Sequence, residues 1–506
     1  MSAKSISRPH SRGQCESRGS RDRGWKISRS SKRYNRRNCV LGISRFHAND
    51  TDAFIPEVWA RESVRVLSEQ MIYGATVHRD FDPLVAQFGE TIHTRKPAEL
   101  TGKRKQNDLD DVEDQDVAAT DIEVKLNQRV YCSFIIGDGE QSKSFVDLLD
   151  EYLVPAMRGN SRLLDQCLGG QVYQFLGNRA GGLGTLSKTN SHDYLLDMRE
   201  VFNTNKVGLQ NRWLGLASRS ETMMQKTDLF KSAEKIGDDG TALRDAMLGR
   251  VAGWNTFLEL NTPSVRNAGK ETATTTAAAA LAGATSVSST AAVTVGAYIT
   301  IVGDMTPLRV TASAGTGPYT LTLNRPLLNA VASGAVLQAY TTGLVNQAVA
   351  IAVGQTHLAA SDGYPANWMK EIVIDAGVPQ EGQLVSFKTS GGTVLPGEYS
   401  IVQASSTTIL LDRPLDAAID NNAIVCLGPD GDYNFAYQRE ALTLVNRPLA
   451  LPPAGTGVRS ANDMFENIAL RVNMAYDDVK EGTRVNVGGL FGIKQLDVAR
   501  GGVLLG

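Results

Sequence analysis

Residues 141–178 read QSKSFVDLLDEYLVPAMRGNSRLLDQCLGGQVYQFLGN, and they carry the clearest helical pattern in the chain of 506 residues. Their apolar residues recur at the spacing of a single helix face. These residues are Phe145, Leu148, Leu149, Tyr152, Leu153, Ala156, Met157, Leu163, Leu164, Leu168, Val172, Phe175 and Leu176. The pattern predicts a long amphipathic helix over 141–176. Pro155 should kink or divide this helix, because proline lacks the N–H that a helix interior needs.

A long hairpin is predicted just before this helix, over residues 88–136. Residues 89–94 alternate like a strand, and 122–136 supply the return strand. A basic block and an acidic block lie between them, and their residues are Lys103, Arg104, Lys105, Asp108, Asp110, Asp111, Glu113, Asp114 and Asp116. The acidic spacing suggests a calcium loop, but the sixth position, which requires Gly, is Glu113. We therefore predict no metal site, and two interpretations stay open: a solvated, mobile tip or a charged arm that pairs with a neighbouring subunit.

The N-terminal region divides into two parts. Residues 1–45 carry a net charge of +11 within a total of −2, so the remaining chain carries −13. An arm that binds nucleic-acid phosphates and a disordered or untranslated leader are both compatible with this composition. Residues 50–80 repeat Trp59, Val64 and Leu67 at helical spacing after Pro56, which predicts a short amphipathic helix.

Residues 262–431 differ in composition from the rest of the chain. They hold 18 charged residues, about half the density of the whole chain, and short alternating runs separated by turn signals. The run TLTLNRPL at 320–327 is echoed by TILLDRPL at 408–415, and each is preceded by a strand that opens with glycine, Gly296 and Gly382. We predict two related β modules in tandem, with chance similarity between β-rich segments as the alternative.

Further helices are predicted near residues 193–202 and 218–234. Residues 468–476 alternate strictly between apolar and other side chains, which is typical of a half-buried strand. A turn at 477–482 and a partner strand at 484–493 should complete a closing strand pair.

Several functional classes lack their usual signals in this sequence. The five cysteines are at least 24 residues apart and form no CxxC pair, which excludes a zinc ribbon and favours folding in a reducing compartment. HExxH, a P-loop and GxSxG are missing, so we predict neither an enzyme nor a bound cofactor. The longest uncharged run, 272–303, is mostly Ala, Thr, Ser and Gly, and the N-terminus lacks an apolar core segment. Neither a membrane span nor a secretory signal is therefore predicted.

The order of these parts resembles the major capsid (coat) proteins of tailed bacteriophages with the Hong Kong 97-type fold. More narrowly, it resembles the podoviral coat proteins that carry an inserted β-barrel domain. The segments that carry the resemblance are AFIPEVW at 53–59, the hairpin at 88–136, the helix at 141–176, GRVAGWNTF at 249–257 and NFAYQREALTLVNRPL at 434–449. The resemblance covers roughly residues 50–506.

The resemblance implies an α+β fold with an inserted all-β region. Its parts are a basic disordered leader (1–46), an N-terminal arm (47–84), an E-loop hairpin (85–136), a peripheral domain with a spine helix (137–185), the first part of an axial domain (186–261), an inserted β domain (262–431, with modules at about 285–342 and 370–428) and axial or peripheral return strands (432–506). The chain departs from the family pattern in its basic leader. It also departs in having two modules where one barrel is expected.

The resemblance also implies a function. The chain would self-assemble through pentamers and hexamers into an icosahedral shell around the double-stranded DNA of a tailed phage, with a scaffolding protein and a portal as partners. It would be assembled in the host cytoplasm and reside in the virion, and the charged hairpin residues would make E-loop contacts between subunits. A β-rich surface-binding or adhesion protein and an encapsulin-like protein compartment are the alternatives.

Overall fold

The computed structural model describes residues 56–79, 89–96, 102–105, 107, 114, 120–139, 149–227, 248–345, 363–375, 378–453 and 457–506. These residues form a mixed α/β structure with many strands and few helices. They belong to one compact unit, Thr51–Gly506, whereas the other unit, Met1–Asp50, lies outside the described residues. The interpretations of the basic leader therefore also fall outside them.

The described helices follow the apolar periodicity of the sequence. They are α1 (Pro56–Gln70), α2 (Tyr73–Thr76), α3 (Val154–Gly170), α4 (Ser191–Thr204) and α5 (Ser218–Gln225). Shorter helical turns cover Leu149–Leu153, Gln171–Phe175, Arg439–Ala441 and Val498–Arg500. None of the helices in this part of the chain combines the length and the apolar character that crossing a bilayer requires.

The long helix predicted over 141–176 is divided where Pro155 stands. A π-helical turn, Leu149–Leu153, precedes α3, and Pro155 occupies the first turn of α3, where a missing N–H costs no hydrogen bond. A 3-10 turn then continues α3 to Phe175. The prediction of a helix near 193–202 is confirmed by α4. The helix predicted near 218–234 begins at Ser218 as α5 but ends at Gln225, so its predicted length was wrong, and residues 228–234 lie outside the described residues.

The strands fall into four groups along the chain. Those before the inserted region are β1 (Thr91–Lys96), β2 (Thr120–Lys125), β3 (Gln128–Gly137), β4 (Arg179–Gly181), β5 (Arg212–Leu216), β6 (Arg250–Val251), β7 (Trp254–Leu258) and β8 (Ser264–Val265). The next two groups are β9 (Thr274–Thr275), β10 (Ser286–Ser289), β11 (Tyr298–Ile301), β12 (Asp304–Ala314), β13 (Tyr319–Leu323) and β14 (Val336–Ala339), then β15 (Thr342–Leu344), β16 (Ile372–Val373), β17 (Leu384–Lys388), β18 (Tyr399–Ala404), β19 (Thr408–Leu411) and β20 (Ile424–Leu427). The last group is β21 (Gly431–Gln438), β22 (Leu442–Arg447), β23 (Arg459–Phe465), β24 (Ile468–Asp477), β25 (Gly482–Gln495) and β26 (Gly501–Leu505).

β1 and β2 pair with each other in a two-stranded sheet, and the other strands of the first and last groups combine into two larger sheets. One has the order β4-β26-β21-β5-β7-β6, with β8 pairing on β21. The other has the order β22-β25-β24-β23, with β3 pairing on β25. The strands after residue 431 thus complete sheets begun before residue 265. The predicted closing strand pair is confirmed as β24 and β25.

The hairpin differs from its prediction in one respect. β1 and β2 pair antiparallel from Thr91↔Lys125 to Lys96↔Thr120, but the return strand breaks after β2. Its second half, β3, pairs with β25 instead, from Gln128↔Phe491 to Gly137↔Gly482. The prediction of one continuous return strand over 122–136 was therefore wrong. The break lies at Leu126, whose fully buried side chain belongs to a small apolar cluster.

The inserted region contains two six-stranded sheets with equivalent strand orders. The first runs β10-β13-β12-β11-β14-β9, and the second, read from its opposite end, runs β16-β19-β18-β17-β20-β15. Each sheet packs around an apolar core of its own. The two modules therefore share a strand order as well as the repeated sequence.

The repeated Asn/Asp-Arg-Pro-Leu tetrapeptide has the same structural role in both sheets. Asn324 N donates to Arg309 O, and Arg309 N donates to Asn324 Oδ1 (2.9 Å each). Asp412 N donates to Ser400 O (3.0 Å), and Ser400 N donates to Asp412 Oδ1 (2.9 Å). The Asn or Asp side chain thus extends the strand pairing by one further hydrogen bond. The leucine that ends each tetrapeptide is buried in the core of its own module.

The largest core lies between α1, α3 and the two sheets of the body. Trp59, Val64 and Leu67 of α1 are fully buried in it, together with Leu164 and Leu168 of α3. This packing agrees with the predicted apolar stripes on both helices.

Candidate functional site

The root of the hairpin is packed firmly onto the body. Ile92, Val124 and Leu126 form a buried cluster with Val445 of β22 and Leu490 of β25. β25 also passes very close to β2, because a Cβ atom added at Gly492 would lie 2.4 Å from the Lys125 carbonyl oxygen. Only glycine fits at this crossing without displacing backbone. Movement of the root is thereby resisted by packing on two strands.

The described residues of the charged blocks do not belong to this packed root. Lys103, Arg104, Lys105 and Asp114 are exposed. The other predicted contact residues, Asp108, Asp110, Asp111, Glu113 and Asp116, lie outside the described residues. Contact of these nine residues with a neighbouring subunit stays a prediction.

Asp432 joins the body to the inserted region at the point where the chain leaves and returns. Its side chain is 1% exposed and accepts hydrogen bonds from Ser220 Oγ (2.9 Å), Ser264 Oγ (2.7 Å) and Arg266 Nη2 (2.7 Å). Its backbone lies opposite Ser264 in the β8–β21 pair. The buried carboxylate of Asp432, in the first strand after the insert, is therefore hydrogen-bonded both to α5 and to the start of the insert.

Glu398 is the centre of a polar network between the two inserted sheets. It accepts from Arg325, from Tyr298 OH (3.3 Å) and from Asn324 Nδ2 (3.4 Å), all of which belong to the first sheet's segment. Arg309 of β12 adds bonds to the carbonyl oxygens of Phe387 (2.7 Å) and Leu395 (3.2 Å). The two modules are thus held together largely by charged and polar groups.

Both modules are also bonded to the segment that follows α3. Gln171 Nε2 donates to Asp412 Oδ2 (2.8 Å), and Tyr173 OH donates to Gly382 O (2.5 Å). Arg179 Nη2 donates to Pro326 O of the first module (2.5 Å). Burial raises the pKa of Asp412 to about 6, while the neighbouring Arg413 opposes that rise. The insert is therefore fastened to the body by side chains as well as by its two chain crossings.

A cleft of about 1250 Å³ lies between the hairpin, the inserted modules and the end of β25. Its charged lining residues are five bases and five acids: Lys125, Arg309, Arg325, Arg413, Lys494, Asp121, Glu123, Glu398, Asp416 and Asp497. Among the described residues that line it, none is His, Cys or Ser.

A buried carboxylate also holds the N-terminal helix against the long helix. Asp165 of α3 is 2% exposed, and it accepts the N–H groups of Ile72 (2.9 Å) and Gly74 (3.2 Å) in the turn that leads into α2. Burial raises the pKa of Asp165 to about 7, and repulsion from Glu259 adds to that rise. The backbone N–H groups oppose it, since they favour the charged form.

This raised pKa predicts a pH dependence of stability. In the folded chain Asp165 stays protonated at pH values where the unfolded chain has already lost that proton. The free energy of unfolding is therefore highest below the ordinary aspartate pKa, and it falls as the pH rises towards about 7. Relative to Asp165→Asn, the wild type should lose on the order of a few kcal/mol of unfolding free energy between about pH 4 and pH 7. Urea unfolding of both proteins across this range measures the difference, and parallel pH profiles would contradict the assignment.

Sequence reasoning missed the buried acids Asp165 and Asp432 and the half-buried Glu398. Carboxylates are common in any sequence, and their burial depends on partners that are distant along the chain. The only local hint was the acid in the repeated tetrapeptide, Asp412. The structure also brings His93 of β1 next to Asp121 and Glu123 of β2, and no sequence motif marked these three residues.

Comparisons with known proteins gave matches among solved structures only. No family model matches the chain, and no curated protein sequence matches it. A structure from Mycobacterium phage Che8 is 8% identical, with a TM-score of 0.40, over 86% of this chain and 91% of that one. The capsid of cyanophage P-SCSP1u (9% identical, TM-score 0.36) matches over 85% of both chains. The mature capsid of bacteriophage PhiM1 (9% identical, TM-score 0.37) matches over 86% of both. TM-scores this low do not assign a fold.

Proposed function

We propose that this chain is a major capsid protein with the Hong Kong 97-type fold, of the podoviral coat-protein-like subgroup with an inserted β domain. The observation that carries the proposal is the order of its parts around one body. A helix at 56–70, a hairpin, a long helix, a sheet, an all-β insert and return strands follow one another. The resemblance to coat proteins rests on that order.

The geometry of the hairpin supports a role in assembly. Its root is buried on β22 and β25, while the described charged residues beyond it are exposed. A subunit of a closed shell needs large complementary edges, and interfaces that persist bury more than about 1,000 Å². An extended hairpin adds such area without enlarging the core. Its opposite charge blocks would select the register of a neighbour.

Several finer assignments belong to the same proposal. The E-loop contacts would involve Lys103, Arg104, Lys105 and the acidic residues from Asp108 to Asp116. The shell would be icosahedral, form with a scaffolding protein and a portal, and enclose double-stranded DNA in the virion. The chain outside residues 1–45 carries −13, which would limit adhesion of the wall to packaged DNA.

Electron microscopy of the expressed chain, with its scaffolding partner, tests the proposal. We expect closed particles of uniform diameter. Only monomers and amorphous aggregate under these conditions would count against it. Nucleic acid inside particles from infected cells would distinguish a phage capsid from an encapsulin-like compartment, which would enclose protein cargo.

The surface-binding alternative draws on one observation, namely that each inserted module has its own apolar core. The modules are nevertheless bonded to the body through Gln171, Tyr173, Arg179 and Asp432. A binding module displayed on a stalk would not need these buried attachments. We therefore place the insert within the shell subunit.

A further inference from the structure

Three potential metal ligands meet on the exposed face of the hairpin. His93, Asp121 and Glu123 each offer one ligand atom, and these atoms all lie within 4.8 Å of one another. His93 Nδ1 is 2.7 Å from Asp121 Oδ2. All three residues are exposed, so a hydrated cation can reach them.

The strand register places these three side chains together. His93 lies directly opposite Glu123 in the β1–β2 pair. Asp121 is two residues from Glu123 on the same strand, so its side chain points to the same face. Ile92 and Val124, on the other face, are buried in the root of the hairpin. One face of the β1–β2 hairpin therefore packs against the body, and His93, Asp121 and Glu123 lie on the opposite face.

The spacing of the donors suits a small divalent cation. Zinc binds imidazole nitrogen and carboxylate oxygen at about 2.0–2.2 Å, so neighbouring donors around it are separated by roughly 3.3 Å. The 2.7 Å between His93 and Asp121 would have to widen slightly, and the most distant donors would have to close in. Exposed side chains make such adjustments by changing rotamer, without movement of the strands.

The donor types narrow the class of cation. Calcium and magnesium favour sets made only of oxygen atoms, whereas one imidazole with two carboxylates suits zinc, cobalt and related transition metals. We propose that His93, Asp121 and Glu123 form a binding site for a zinc-class divalent cation, with water completing the coordination. The cation would take the place of the hydrogen bond between His93 Nδ1 and Asp121 Oδ2.

Charge on the same face limits the affinity of this site. Lys125 follows Glu123 by two residues and so lies on the same face of β2. Arg95 lies opposite Asp121 in the register and so is also on this face. The two basic residues equal the two carboxylates in number, which keeps the expected affinity for a cation moderate. A bound cation would link β1 to β2 and stiffen the hairpin beyond its packed root. This inference concerns the isolated chain and is independent of the proposed function.

Titration of the purified full chain with Zn²⁺ and with Co²⁺ tests the site. Calorimetry with Zn²⁺ gives the affinity and stoichiometry, and the visible absorption of bound Co²⁺ reports its ligands. We expect the wild type to bind one equivalent more than His93→Ala, or to bind that equivalent at least about tenfold more tightly. Glu123→Gln, which keeps the shape of the side chain, should give the same loss. Asp478→Asn, an exposed acid in the β24–β25 turn, is the control and should bind like the wild type.

Two results would overturn the inference. One is equal stoichiometry and affinity in the wild type, His93→Ala and Glu123→Gln, which would place any bound metal elsewhere on the chain. The other is no binding by the wild type at millimolar Zn²⁺. Circular dichroism of the metal-free variants should match that of the wild type, because the three side chains are exposed and outside the core. If His93→Ala unfolds, Glu123→Gln alone decides the question.

Discussion

Asp432→Ala is expected to lower the free energy of unfolding by about 3 kcal/mol. The change removes the shared acceptor of Ser220, Ser264 and Arg266. Arg266 is only half buried, and it can turn partly towards water, which keeps the loss below that of a fully buried ion pair. The hydroxyl of Ser220 is fully buried, so water would not readily replace the hydrogen bond that it loses.

Two other substitutions separate this effect from simple loss of a carboxylate. Asp432→Asn keeps one acceptor oxygen and should cost less than Asp432→Ala. Asp430→Ala removes an acid only two residues away, but Asp430 is partly exposed and accepts weaker bonds of 3.3 Å from Lys270 and Tyr340. It should cost no more than about 1 kcal/mol. Chemical denaturation of the three variants gives the ranking, and equal losses at positions 430 and 432 would refute the junction role of Asp432.

Replacing Lys103, Arg104 and Lys105 together by Glu is expected to abolish or strongly impair particle assembly while leaving the subunit folded. The three side chains are exposed, so their replacement should change unfolding free energy very little. If they meet an acidic block of a neighbour, three charges change sign at each contact, and attraction becomes repulsion. The expected readout is soluble, folded subunits with few or no particles by sedimentation and microscopy.

The control makes the same change in net charge elsewhere on the surface. Lys188, Lys206 and Lys480 are also exposed, and their joint replacement by Glu adds equal negative charge outside the hairpin. This triple variant should still assemble. Raised salt should weaken the wild-type contact, because exposed ion pairs are screened. Normal particles from the hairpin variant would show that its basic block makes no essential contact.

The local parts of the fold could be predicted from the sequence because their signals are local. The apolar stripes of α1 and α3 reflect the helix period, and Pro155 marks where the long helix divides. The alternation over 468–476 likewise gave the strand β24. The shared tetrapeptide of the two modules was visible as a repeat, although its bond to the neighbouring strand was not.

The remaining features depend on contacts between distant residues. The break between β2 and β3 follows from the pairing of β3 with β25, more than 340 residues later in the chain. The burial of Asp432 depends on Ser220, Ser264 and Arg266, which lie in other elements. His93 and Glu123 meet only through the hairpin register. A single sequence holds no record of such partners, so the charged residues could be listed but not grouped.

The chain's departure into the all-β segment and its return are side by side, since Val265 lies opposite Gly431 and Ser264 opposite Asp432. β8 and β21 can therefore keep this pairing when a different segment lies between residues 266 and 430. A single recombination event could delete, duplicate or exchange this segment without changing the strand order of the body. A different domain with neighbouring termini could be grafted at the same place, provided that it also satisfied Gln171, Tyr173 and Arg179, which donate hydrogen bonds to the present insert.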